Sequence, residues 1–145
     1  MVKVKALRIA LIIALAALSL ACVSTSLTSD VDPQADLSSL DTYLVVKFSG
    51  DERGIEDMIA NALNKRGKTA TAVDSRPDKV EAEAVVTYQD KWMWDITMYM
   101  IELTIEIHDP LTDYVLATGV SYRTSLARTS PEEMVEEVIG EIFGE

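Results

Sequence analysis

The sequence predicts an α+β domain: a mainly antiparallel sheet of about five strands with two helices packed on one face, in the order β-α-β-β-β-α. Three patterns carry that expectation. Two segments have apolar residues at helical spacing, each with a start signal. Several short runs are rich in Val, Ile, Tyr and Thr and are bounded by turn residues. The longest run, MYMIELTIEIH at residues 98–108, alternates apolar and polar positions as a half-buried strand does.

Taken in order, residues 43–48 (YLVVKF) form a nearly continuous apolar run, expected as an interior strand. A helix follows: Ser49 with Glu52 suggests a capping box, Ile55, Met58, Ile59, Ala62 and Leu63 make the stripe, and Lys65-Arg66-Gly67 ends it. Residues 69–74 are a weaker strand, and a polar loop, SRPDK, occupies 75–79. Strands are then expected over 82–89, 98–108 and 114–122, with Asp109-Pro110-Leu111-Thr112-Asp113 turning between the last two. The turn before the long strand lies either at Gln89-Asp90-Lys91 or near Trp94-Asp95. Ser130, Pro131 and Glu133 open the last helix, whose stripe is Met134, Val135, Val138, Ile139, Ile142 and Phe143. The first strand, helix and second strand suit a parallel right-handed unit.

Upstream of this domain the chain begins MVKVKALRIALIIALAALSLAC, with Lys3, Lys5 and Arg8 ahead of an uncharged apolar run and Ser19-Leu20-Ala21 ahead of Cys22. Residues 1–21 are an export signal by this pattern, too short to be a good membrane span. Leu18-Ser19-Leu20-Ala21-Cys22 resembles the lipobox of bacterial lipoproteins, with Ser19 where the strongest form of the motif has leucine. The resemblance implies cleavage by signal peptidase II and lipidation of Cys22, with acyl chains of the palmitate kind. Cys22 is the single cysteine of the chain, and acylation explains an unpaired thiol in an exported protein. Several acyl chains attach a protein stably where one does so only marginally. Val23 after the cysteine implies, on the same resemblance, an outer-membrane destination facing the periplasm.

Residues 22–41 are expected to be the lipidated cysteine and a flexible tether, since VSTSLTSDVDPQADLSSLD shows no lasting period. Its nineteen residues would span about 65 Å fully stretched. Residues 42–145 are then a single domain. Without residues 1–21 the chain keeps 10 basic and 24 acidic residues, a net charge of −14. Such a chain is repelled by phosphate backbones and anionic headgroups, which argues against nucleic-acid binding and electrostatic docking on lipid. In element order and lipobox the chain resembles small uncharacterised envelope lipoproteins of Gram-negative cells and the compact α/β domains of penicillin-binding-protein activators and the Tol system. YQDKWMWD, at residues 88–95, adds a Trp-x-Trp-Asp element similar to one in such lipoproteins.

The segment WMWDITMYM, residues 92–100, holds both tryptophans and three of the six methionines. Tyr99, Ile101, Leu103, Ile105 and Ile107 are expected on the core face of the long strand, with Met98 and Met100 on the opposite face ahead of Glu102, Thr104, Glu106 and His108. That would leave the sheet apolar on both sides at one end, covered by the protein itself, by a second copy or by a foreign partner. Trp92, Trp94, Met98 and Met100 are therefore the candidate partner contact.

Chemistry has little to build on. His108 is the only histidine, beside a turn with Asp109 and Asp113 that suits a solvated loop better than a metal site. Glu102 and Glu106 lie about 13 Å apart along one strand face, beyond the roughly 5–9.5 Å of glycosidase carboxylate pairs. The acidic stripe Glu132, Glu133, Glu136, Glu137 and Glu141 suits a solvated helix face. No catalytic residue, metal or cofactor is expected. The sequence thus favours a non-enzymatic, lipid-anchored protein-binding or assembly module. A structural subunit of an oligomeric envelope complex, using strand edges, is the alternative, and a carboxylate-based envelope hydrolase using Asp90 and Asp95 the rival of another class.

Overall fold

The computed structural model describes residues 25–145. The expected export signal, residues 1–21, and Cys22 lie outside the described residues. Six strands, β1 (Thr25–Val31), β2 (Thr42–Val46), β3 (Thr69–Val73), β4 (Ala84–Asp95), β5 (Thr97–His108) and β6 (Val115–Arg123), form one sheet with two helices, α1 (Ile55–Lys65) and α2 (Pro131–Phe143). The sheet order is β1-β6-β5-β4-β2-β3. β2 pairs in parallel with both β3 and β4, and the other pairs are antiparallel. The α+β class with two helices holds, and the sheet is six-stranded and mixed, with three antiparallel and two parallel pairings, where about five mainly antiparallel strands were expected. The parallel step is the β2–α1–β3 unit, where a helix carries the chain back to start a second strand in the same direction.

The extra strand comes from the stretch expected to be a tether. Thr25–Val31 pairs residue by residue with β6, from Thr25 opposite Arg123 to Val31 opposite Ala117. Beyond it Leu37 is buried in a single 3-10 turn whose cap is the Asp36 carboxylate. The folded unit thus begins at or before Thr25 and not at residue 42. TSLTSDV carries little apolar signal because β1 is an edge strand, exposed from Thr25 to Asp30, and is held by backbone pairing that no side-chain pattern reports.

The core lies between the sheet and the helices. Ile55, Ile59 and Leu63 of α1 and Met134, Val138, Ile139 and Ile142 of α2 pack against Tyr43, Val45, Val86, Leu103, Ile105 and Ile107. α2 starts as the sequence predicts: the Ser130 hydroxyl accepts from the Glu133 N–H, the Glu133 carboxylate accepts from the Ser130 N–H, and Pro131 takes the first helical position. α1 does not use a Ser49/Glu52 box. Gly54 enters the helix at φ +74°, and the Asp51 carboxylate accepts from the Arg53 and Ile55 N–H groups at 2.6 and 2.7 Å. α2 approaches β6 at Gly119, where a Cβ would lie 2.7 Å from Val138 Cγ1 and 2.8 Å from Ile142 Cγ1.

The β4–β5 ladder carries a bulge. Lys91 pairs with Glu102 and Trp92 with Met100, leaving Ile101 as an extra residue. Leu103, Ile105 and Ile107 lie on the core face as expected, all fully buried. Past the bulge the alternation inverts, so Met100 takes the core position and Tyr99 and Ile101 leave the face expected of them. One inserted residue sends every later side chain to the opposite side.

Candidate contact surface on the β4–β5 hairpin

The turn between β4 and β5 is Asp95-Ile96-Thr97, the second of the two sites expected. Ile96 sits at φ 63° and is 86% exposed. Cross-strand pairing sets Trp92 against Met100 and Trp94 against Met98, so all four share one side of the hairpin. They do not share one fate. Met100 is buried in the core, which removes it from the candidate contact: the side expected to face outward here faces the helices. Trp92 is half-buried against that core, its indole N–H donates to the Asp90 carboxylate, and the Arg53 guanidinium lies 3.9 Å over its ring. Trp94, 70% exposed, and Met98, 45% exposed, project past the core with Ile96.

The opposite side of the hairpin end carries Met93, Asp95, Thr97 and Tyr99. Arg128, in the loop before α2, clamps it. Its guanidinium donates to the Asp95 carbonyl and carboxylate and to Thr97 Oγ1, and lies 4.3 Å over the Tyr99 ring. Tyr99 in turn donates to the Met93 sulfur. The apolar tip is thus presented on a braced support.

The polar candidates separate. Asp90 and Asp95 fall on opposite sides of β4, one bonded to Trp92 and the other to Arg128, so the two carboxylates do not converge on a substrate position. Glu102 pairs with Lys91. His108 is buried, with Thr87 Oγ1 2.9 Å from Nε2 and the Asp113 carbonyl 3.3 Å from Nδ1. Within the acidic stripe Glu136 binds Lys65 and Arg66, and Glu137 binds Arg123, so part of it is ion-paired and not merely solvated. No group of three or more metal-ligating side chains occurs among the described residues.

A buried polar cluster was not anticipated. The Tyr88 hydroxyl donates to Asp51 Oδ2 at 2.8 Å and lies 3.1 Å from Glu56 Oε2, and Glu56 pairs with Lys47 at 3.1 Å. Burial pushes the Tyr88 phenol well above its ordinary range, reinforced by Asp51. Burial alone would raise the Asp51 carboxyl, but donors from Arg53, Tyr88 and Ile55 together hold it below its ordinary value. The Glu56 hydrogen bond raises the Lys47 ammonium. Beside the cluster is an open cavity of about 400 Å³ lined by Lys47, Phe48, Thr87, Tyr88, Thr104 and Glu106. The one sequence signal for this cluster is an aspartate four residues ahead of Ile55.

No family model matches the chain, and no curated protein matches it either. Solved structures do. A PelC dodecamer from Paraburkholderia phytofirmans superposes with a TM-score of 0.59 at 15% identity, over 82% of this chain and 97% of that one. That structure is of a point variant, and a PelC dodecamer from the same organism without the substitution gives the same score, over 98% of its chain. The chain shares the fold of PelC. It also overlaps TolB from Acinetobacter baumannii at 15% identity and a TM-score of 0.44, spanning 31% of that chain.

Proposed function

We propose that the protein is a lipid-anchored, non-enzymatic subunit of a self-associating assembly in a bacterial cell envelope. The observation that carries this is the open edge of β1. Asp32 N–H donates to the Leu116 carbonyl, and alternation along an antiparallel pair turns the N–H groups of Thr25, Leu27, Ser29 and Val31 away from β6. No other described segment covers them, and TSLTSDV has neither the lysine nor the proline that guards edge strands. The other edge is guarded: the Asn64 side chain accepts from the Ala70 N–H at 2.8 Å and donates to the Ala70 carbonyl at 3.1 Å, as a neighbouring strand would.

That PelC, a chain of this fold, is a dodecamer supports the same conclusion. Twofold antiparallel pairing of β1 with β1 would send the two Thr25 ends in opposite directions. Anchors in one membrane instead favour a head-to-tail contact between β1 and another surface of the neighbour, which forms a ring where the rotation from copy to copy closes. The address rests on the leader and Cys22, and the outer membrane on Val23.

Native mass spectrometry of the detergent-extracted protein is expected to give a defined multiple of the protomer. Leu27→Pro removes one outward N–H and no bond to β6, so it is expected to release protomers with an unchanged circular dichroism spectrum. A wild-type monomer at micromolar concentration would overturn the proposal, and an oligomer that survives Leu27→Pro would overturn the β1 edge as its contact.

A further inference from the structure

We infer that the tip of the β4–β5 hairpin, Trp94, Ile96 and Met98, is a second membrane contact that dips into the bilayer holding the Cys22 anchor. The inference rests on the anchoring proposed above and adds what the fold does with it.

The first support is where the chain end lies. Thr25 stands opposite Arg123, the last residue of β6, and Tyr122 stands opposite Glu102. β1 therefore starts at the end of the sheet from which the hairpin projects. From Glu102 the hairpin runs on through Thr97 to Ile96, about 15 Å past the end of β6 at strand rise. Cys22 is three residues ahead of Thr25, a reach of about 10 Å. With β1 in the sheet the leash is this short, not the roughly 65 Å of a free tether. A membrane that holds Cys22 then lies within reach of the tip, and interfacial elements bury their apolar side about 5–10 Å deep.

The second support is the chemistry of the tip. A β-branched residue at positive φ is strained, and glycine or asparagine would fill that turn position without cost. Ile96 instead holds an apolar side chain there, almost fully exposed at the apex. Asp95, the one charge between Trp94 and Met98, is neutralised by Arg128, which also takes up the turn carbonyl. An indole beside aliphatic side chains, with its nearest charge paired, suits the zone between headgroups and acyl chains. A net charge of −14 without residues 1–21 offers no electrostatic attraction to anionic lipid, so insertion must be apolar.

The test uses the full lipidated chain in phosphatidylcholine vesicles, with Trp92→Phe so that Trp94 is the sole tryptophan. Bromine-labelled acyl chains are expected to quench Trp94 emission roughly twofold, more strongly with bromine near the headgroup than at the bilayer centre. Adding phosphatidylglycerol should not strengthen the quenching. Ile96→Asp, which the backbone accepts readily, should abolish it while the protein still floats with vesicles. Loss of flotation in the parent, with an unmodified Cys22 by mass, would sink the anchor itself. Flotation without quenching overturns the tip contact, and so does blue-shifted, unquenched emission that depends on protein concentration, which would mark a second copy on the tip.

Discussion

Asp51 stands four residues ahead of the first buried residue of α1, and its two oxygens act separately: one accepts from the Arg53 N–H, the other from Ile55 N–H and the Tyr88 hydroxyl. Removing a donor from such a cluster leaves buried acceptors unsatisfied. Tyr88→Phe is accordingly expected to cost about 1–3 kcal/mol, read by urea unfolding at neutral pH. Because the Asp51 carboxyl is held below its ordinary 3.8, its contribution to stability is present above that value and lost as pH falls through the lowered one. Wild-type stability should therefore fall from about pH 4 downward, and Asp51→Asn should give a shallower acid limb. Glu136, lowered by Lys65 and Arg66, will retain part of that limb. The sequence pointed to Ser49 and Glu52 at this helix start and not to Asp51, whose partner on β4, Tyr88, is 37 positions away.

At the scale of elements, the helices were the most legible parts. Ser130, Pro131 and Glu133 form a local signal read within one turn, and the structure bears them out. How a helix sits on its sheet depends on a contact far along the chain: Gly119 admits Val138 and Ile142. Gly119→Ala is expected to destabilise by about 1–3 kcal/mol through overpacking, seen as a lower urea midpoint with unchanged m-value. The hairpin was legible as two strands and a turn. Its bulge was not, because the apolar residues Tyr99, Met100 and Ile101 satisfy either alternation and only pairing with β4 chooses one. Met100 was for that reason expected outside and lies inside, while Trp94 and Met98 stay exposed where a contact residue must be.

For the whole molecule, protomers that each carry a charge of −11, or −14 without residues 1–21, repel one another on assembly. Raising ionic strength shortens the Debye length from about 30 Å at 0.01 M to about 8 Å at 0.15 M. The proposed oligomer is thus expected to dissociate at low salt and tighten as salt rises, measured by light scattering on the detergent-solubilised protein; tightening at low salt would mark an assembly held by complementary charge. The sequence by itself determined the leader pattern, the acidic balance, both helices and five of the six strands, because caps, charge and periodicity are local properties of the chain. Only the tertiary structure decided that residues 25–31 join the sheet, that Met100 turns inward, and that the hairpin tip and the start of β1 share one end. Each of these rests on backbone pairing between strands, within the β4–β5 hairpin for Met100 and between distant segments for the other two, and backbone hydrogen bonds are blind to the side chains a sequence displays.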